Sequence, residues 1–140
     1  MKRTNKSVCK FGGSSVQDAE TIQSAVDIVQ KRVQNSKDDP VAVFSAMRGV
    51  TDLLLQMAEF AEQGKDESSK LLTDIQRRHS AVVRELIPEG GDRDSLEREM
   101  EELFLQLREI LHGVRLLHEC SKRTKDYIVS FGERLNCLQI

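Results

Sequence analysis

The chain has 140 residues, with 21 Lys and Arg against 23 Asp and Glu and a formal charge of −2. That is the length of one ordinary domain, which at this size buries about two thirds of its unfolded surface. The charge balance leaves no cationic excess for a nucleic-acid backbone, and no Trp, one Tyr and five scattered Phe build no stacking platform for bases.

From about Ser7 to Phe11 the apolar run reads as a buried strand, and it ends in the bend Lys10-Phe11-Gly12-Gly13-Ser14-Ser15. A cation, two glycines and unobstructed backbone N–H groups ahead of a helix start suit a phosphate, because glycine lets the backbone approach an anion and the helix adds a positive dipole end. Alone the signal is weak: it matches neither G-x-x-x-x-G-K-[ST] nor G-x-G-x-x-G, and a glycine pair after a strand is commonly just a tight turn.

From Asp18, a candidate cap, Ile22, Ala25, Val26, Val29 and Val33 recur at helical spacing. A polar loop from Asn35 to Pro40 follows, then Val41 to Ser45, a second short run suited to a strand buried on both faces. Strand, helix, strand is the unit of a parallel sheet with a right-handed crossover. The second strand also enters a glycine bend, Ala46 to Val50, and then a helix capped by Thr51 or Asp52 that carries Leu54, Met57, Ala58 and Ala61 and ends at Gly64. Two such bends at the carboxyl ends of adjacent parallel strands face one crevice, where open α/β sheets bind ligands.

The middle of the chain is helical. Leu71, Leu72, Ile75, Val82, Val83, Leu86 and Ile87 mark one helix, residues 88–92 break it, and Leu96, Met100, Leu103, Leu107, Ile110, Val114 and Leu117 mark a heptad seam on the next. The seam reads either as a coiled-coil surface or as one side of an antiparallel hairpin packed on itself and on the sheet; the short connecting loop favours the hairpin. Ile128, Phe131, Leu135 and Leu138 mark a last helix, inside which Gly132 signals a bend or a close approach. Spacing alone makes Glu133 a solvent-facing acid, opposite the apolar stripe. Cys9, Cys120 and Cys137 have no C-x-x-C spacing and read as reduced thiols; His79, His112 and His118 read as surface or packed residues. The short polar start and the absence of a bilayer-length apolar run predict a cytoplasmic protein with no membrane partner. With two predicted strands for several helices, and an apolar stripe still running at Ile140, the expectation is a fold that continues past this sequence.

Three blocks together, Lys10-Phe11-Gly12-Gly13-Ser14-Ser15-Val16, Phe44 to Leu54 (FSAMRGVTDLL) and Ser130-Phe131-Gly132-Glu133-Arg134-Leu135, closely resemble the first half of aspartate kinases of the amino-acid kinase superfamily. The resemblance implies an α/β, three-layer amino-acid kinase-like fold with a mostly parallel sheet. Residues 1–140 would be the amino-terminal portion of one such domain, holding two strands and several helices with a helical hairpin. It implies ATP-dependent phosphorylation of the L-aspartate side chain to 4-phospho-L-aspartate, toward lysine, threonine and methionine. Lys10 would be the catalytic cation at the ATP phosphates, with Phe11, Gly12 and Gly13 lining them; Ser45 and Thr51 would hold aspartate and Glu133 its ammonium group. Mg2+ would ride on the ATP phosphates without a protein metal site, and the resemblance allows a homodimer. Arg48 departs from the small or polar residue usual there; it either assists the anionic ligands or points to solvent. The family's later G-R-G-G-S-D and T-D-x-D-G segments do not occur in these 140 residues, so little or no kinase activity is expected of them alone. Kinases of glutamate or acetylglutamate rank lower, and a non-catalytic helical module using the Leu96 to Leu117 seam is the rival from another class.

Overall fold

The computed structural model describes residues 7–35 and 40–140. In chain order these form β1 (Val8–Phe11), a single 3-10 turn (Gly13–Ser15), α1 (Ala19–Asn35), β2 (Val41–Phe44), α2 (Val50–Glu62), α3 (Ser68–Leu86), α4 (Gly91–Leu117) and α5 (Lys122–Leu138). The expected loop between α1 and β2 falls largely on residues 36–39, outside the described residues.

The strands pair in parallel, with Val8 opposite Val41, Lys10 opposite Val43 and Phe11 opposite Phe44. Contrary to the reading of strands buried on both faces, only one face of this sheet is covered. Phe11 and Phe44 stack on the inner face, ring centroids 5.0 Å apart, whereas Val8, Lys10, Val41 and Val43 stand exposed on the other. Strict alternation along an extended chain sends successive residues to opposite faces, and no described element lies over the outer one.

Asp18 caps α1 as expected. The Thr21 N–H donates to its Oδ1 at 2.9 Å while the Asp18 N–H donates to Thr21 Oγ1 at 3.2 Å, a reciprocal pair. The Thr21 N–H and, after it, the Thr21 hydroxyl, donating to Oδ1 at 2.7 Å, hold the Asp18 carboxyl below its ordinary range. Val33 and Ile28 remain about half exposed, so the buried stripe of α1 is Ile22 and Ala25 with Val26 and Val29 beside it.

α2 is the central helix. Val50, Leu54, Met57, Ala58 and Ala61 are fully buried, and α3, α4 and α5 all pack against it. Alanines at 58 and 61 keep that surface thin enough for close helix approach. The cap is Gly49, at φ +80, rather than Thr51 or Asp52, which lie inside the first turn. α3 and α4 form the antiparallel hairpin: Ser68 and Leu72 share one cleft with Leu111 and Arg115, and Gln76 and Val83 share another with Met100 and Phe104. The hairpin rests on α2, and α3 also meets α1, where the sheet was expected. The buried residues of α4 are Met100, Phe104, Leu107, Leu111 and Val114, with Leu96, Leu103 and Ile110 half-buried and Leu117 exposed. Most of the seam is therefore consumed within the chain and is not available as a coiled-coil surface. At one end of the hairpin, Glu62 Oε1 accepts the Cys120 N–H at 3.1 Å and Arg115 pairs with Asp66 at 2.8 Å, joining the two helix connections.

His79 lies in the core of the hairpin. A carbonyl only accepts, so the 2.9 Å contact with Ile75 O places the proton on Nδ1, and Nε2 is buried without a partner; the ring itself packs T-shaped with Phe104, centroids 6.2 Å apart. Burial, despite the Ile75 bond and aided by nearby Arg78, pushes the His79 pKa down to about 4. The folded value lies below the unfolded one, so the unfolded chain binds more protons between them. The stabilisation is complete above about pH 6.5 and is lost as pH falls toward about 4, a change on the order of 3 kcal/mol. Urea unfolding across pH 4–7 is expected to show this slope, and His79→Leu to flatten it; an unchanged slope in the variant would assign the acid sensitivity to other groups.

Candidate functional site

The two strand ends touch. After Phe11 the chain turns through Gly12, and a Cβ on Gly13 would stand 3.0 Å from the Ala46 carbonyl oxygen and 3.4 Å from the Arg48 backbone. The Ser45 N–H donates to the Phe11 carbonyl at 3.0 Å, extending the ladder one step past the strands. Glycine at 13 thus lets the second bend lie directly on the first.

The amides of the first bend are less free than the sequence reading held. The Ser15 N–H donates to Gly12 O at 2.8 Å and the Val16 N–H to Gly13 O at 3.4 Å, and the start of α1 is already occupied by the Asp18 carboxylate. α2 differs: Gly49 supplies no side-chain cap, and the acid of its first turn, Asp52, makes no capping bond at the second bend.

α5 completes the arrangement. A Cβ on Gly132 would lie 2.8 Å from Ala46 Cβ, 3.3 Å from Leu54 Cδ1 and 3.5 Å from Val50 Cγ1. Of the two expectations for this glycine, close approach is the one observed. One turn on, buried Asn136 donates from Nδ2 to the Ser45 carbonyl at 2.6 Å and accepts from Gln139 Nε2 at 2.7 Å; that nitrogen also lies 3.6 Å from Met47 Sδ. From the other side, Arg78 of α3 donates to the Arg48 carbonyl at 2.7 Å. Ser45, Ala46, Met47 and Arg48 are each touched by a different residue.

The residues named from the sequence fall as follows. Phe11, Gly12 and Gly13 lie at the end of β1 beside Ser45, and Thr51 is half-buried in the first turn of α2. Glu133 is half-buried, not the freely solvent-facing acid that its spacing implied. Burial, and after it the Glu133 carboxylate, push the neighbouring Cys137 thiol up. Lys10 is exposed on the uncovered sheet face, one residue before the bend. The Arg48 side chain is exposed, while its carbonyl accepts from Arg78. Arg134 stacks its guanidinium over the Phe131 ring, 4.5 Å from the centroid. Sequence reasoning missed Asn136, Gln139 and Arg78. For the first two a signal existed: Gly132, Asn136 and Gln139, spaced by four and three, form a small and amide stripe beside the apolar one. Arg78 carried none.

A parallel pair of strands whose carboxyl ends run through glycine bends into helices is the arrangement of an α/β domain, a class whose open sheets bind ligands outside the strand ends. The model of the amino acid kinase family matches residues 5–139, and the chain belongs to that family. It is 36% identical over 132 residues to aspartokinase 1, chloroplastic, of Arabidopsis thaliana, covering 92% of this chain and 21% of that protein. Aspartokinase 2, chloroplastic, of the same plant is 34% identical over 129 residues, covering 90% of this chain and 22% of that one. The structure of E. coli aspartokinase III in complex with aspartate and ADP superposes with a TM-score of 0.79 at 27% identity, covering 96% of this chain and 28% of that one. The chain therefore spans between about a fifth and just over a quarter of the length of these relatives. Among the described residues, no helix is long and apolar enough to cross a membrane.

Gly132 and Gly113 make a matched test, since both lie within helices but a Cβ on Gly113 meets open space. Gly132→Ala is expected to lose about 1–3 kcal/mol through overpacking on Ala46, against a helix-propensity gain of about 1 kcal/mol. Gly113→Ala should gain up to about 1 kcal/mol. Urea denaturation checks both, and equal gains would remove the close-approach account of Gly132.

Proposed function

We propose that this chain is the amino-terminal portion of an aspartate kinase catalytic domain, one that transfers the γ-phosphoryl group of ATP to the side-chain carboxylate of L-aspartate. The product is 4-phospho-L-aspartate, at the head of lysine, threonine and methionine synthesis. The observation that carries this reading is the convergence on Ala46, where the bend after Lys10, the bend between Ser45 and Thr51 and the helix bearing Glu133 all meet. The names of the relatives, and the aspartate and ADP held by the E. coli protein, support it.

In this reading Phe11, Gly12 and Gly13 line the ATP phosphates, and Lys10 reaches over the strand end to neutralise charge on the transferred group. Ser45 and Thr51 hold aspartate at the start of α2, and Glu133 takes its ammonium group. An aspartate carboxylate oxygen attacks the γ-phosphorus while the bond to the β–γ bridging oxygen breaks and ADP leaves. Because a carboxylate is already a nucleophile, no general base is needed, and the protein supplies positioning and charge. Mg2+ would be carried by the ATP phosphates and would supply charge neutralisation to the transferred group. The free cysteines support a reducing, cytoplasmic location, and the balanced charge argues against a nucleic-acid partner. The homodimer is carried by the resemblance alone.

The test is a chimera in which this chain replaces its matching segment in Arabidopsis aspartokinase 1, with hydroxylamine trapping the acyl phosphate. Lys10→Ala is expected to lower kcat by about 100-fold or more, and Glu133→Gln to raise the KM for aspartate by about tenfold or more. The 140-residue chain alone is expected to give little or no turnover. A folded chimera that is inactive on aspartate, or indifferent to both substitutions, would overturn the assignment.

A further inference from the structure

We infer that Asn136, backed by Gln139, is a positioning residue that sets the spacing between Glu133 and Ser45 and thereby the choice of L-aspartate over L-glutamate. The inference rests on the substrate-binding roles proposed above for those two residues. Its basis is geometric. Asn136 is fully buried and spends both ends of its amide: Nδ2 donates to the Ser45 carbonyl at 2.6 Å, and Oδ1 accepts from Gln139 at 2.7 Å. Ser45 is thus held at both backbone polar groups, its N–H by Phe11 O at 3.0 Å and its carbonyl by α5. Only its hydroxyl is left to serve a ligand.

Glu133 precedes Asn136 by three residues on the same helix, so the two are neighbours on its surface. One buried amide therefore joins the helix that carries Glu133 to the backbone that carries the Ser45 hydroxyl. Gln139 stiffens the joint, being itself buried and directed at Met47 Sδ two residues beyond Ser45. L-Aspartate and L-glutamate present the same ammonium and carboxylates and differ by one methylene. A site that grips the ammonium from α5 and the rest of the substrate from the second bend discriminates them only if the two grips cannot slide apart. Simple space-filling would be served by an apolar residue, as it is at adjacent Leu135, because a buried amide is costly unless bonded.

The experiment uses the chimera with Arabidopsis aspartokinase 1 described above and measures KM and kcat/KM for L-aspartate and, separately, L-glutamate by hydroxylamine trapping. The wild-type chimera is expected to prefer aspartate. Asn136→Ser and Gln139→Met should raise the KM for aspartate by about tenfold or more and bring the aspartate-to-glutamate ratio of kcat/KM toward one, since a displacement near 1 Å is enough for such losses. Asn136→Gln, which keeps the amide but lengthens its arm, should also disturb the ratio. Gln139→Met leaves the Asn136 to Ser45 bond in place, so it reports even if the Asn136 variants do not fold. Folded variants with lower thermal stability but unchanged KM and ratio would make the pair purely structural and overturn the inference. A folded wild-type chimera without activity on aspartate would instead remove the substrate-site reading, and the inference with it.

Discussion

The approach of α5 to the second bend, with Gly132 against Ala46, is the contact on which the rest of the arrangement depends. A virtual Cβ at 132 lies 2.8 Å from the Ala46 methyl carbon, closer than carbon atoms pack. Only with hydrogen at that position does the helix come near enough for Asn136 to reach the Ser45 carbonyl and Gln139 to reach Met47. The helix-propensity penalty of a mid-helix glycine, about 1 kcal/mol, is the cost of bringing α5 to the second bend.

The same bend is gripped from three directions. β1 holds it through Phe11 and Gly13, α5 through Asn136, and α3 through the Arg78 bond to the Arg48 carbonyl. The helical hairpin, remote from the strands in sequence, therefore bears on the site through one guanidinium. α2 makes this possible, because its small, fully buried face lets α3, α4 and α5 surround it while its first turn remains part of the bend. On the opposite side the sheet is bare. Val8, Val41 and Val43 share that face with Lys10, so the cation assigned to the phosphates stands on an apolar surface that no described element covers.

How much was legible in the sequence varies with the range of the interaction. The strand, helix, strand opening and all five helices of the described residues were readable, because periodicity and turn residues act within a few positions. The reciprocal Asp18 and Thr21 cap is of the same kind. The heptad seam was legible as an apolar stripe but not in its exact facing: Phe104 and Leu111 enter the core while Leu117 does not, since the partners α2 and α3 decide which side of α4 is buried.

The chain order of Lys10, Ser45, Thr51 and Glu133, and the family they point to, were determined by the sequence itself, because a motif keeps its chemistry wherever the chain places it. That Gly132 meets Ala46, that Asn136 rather than a bonded strand satisfies the Ser45 carbonyl, and that no described element covers one sheet face were decided only by the tertiary structure. Each depends on atoms brought together from distant parts of the chain, and local pattern holds no measure of that distance.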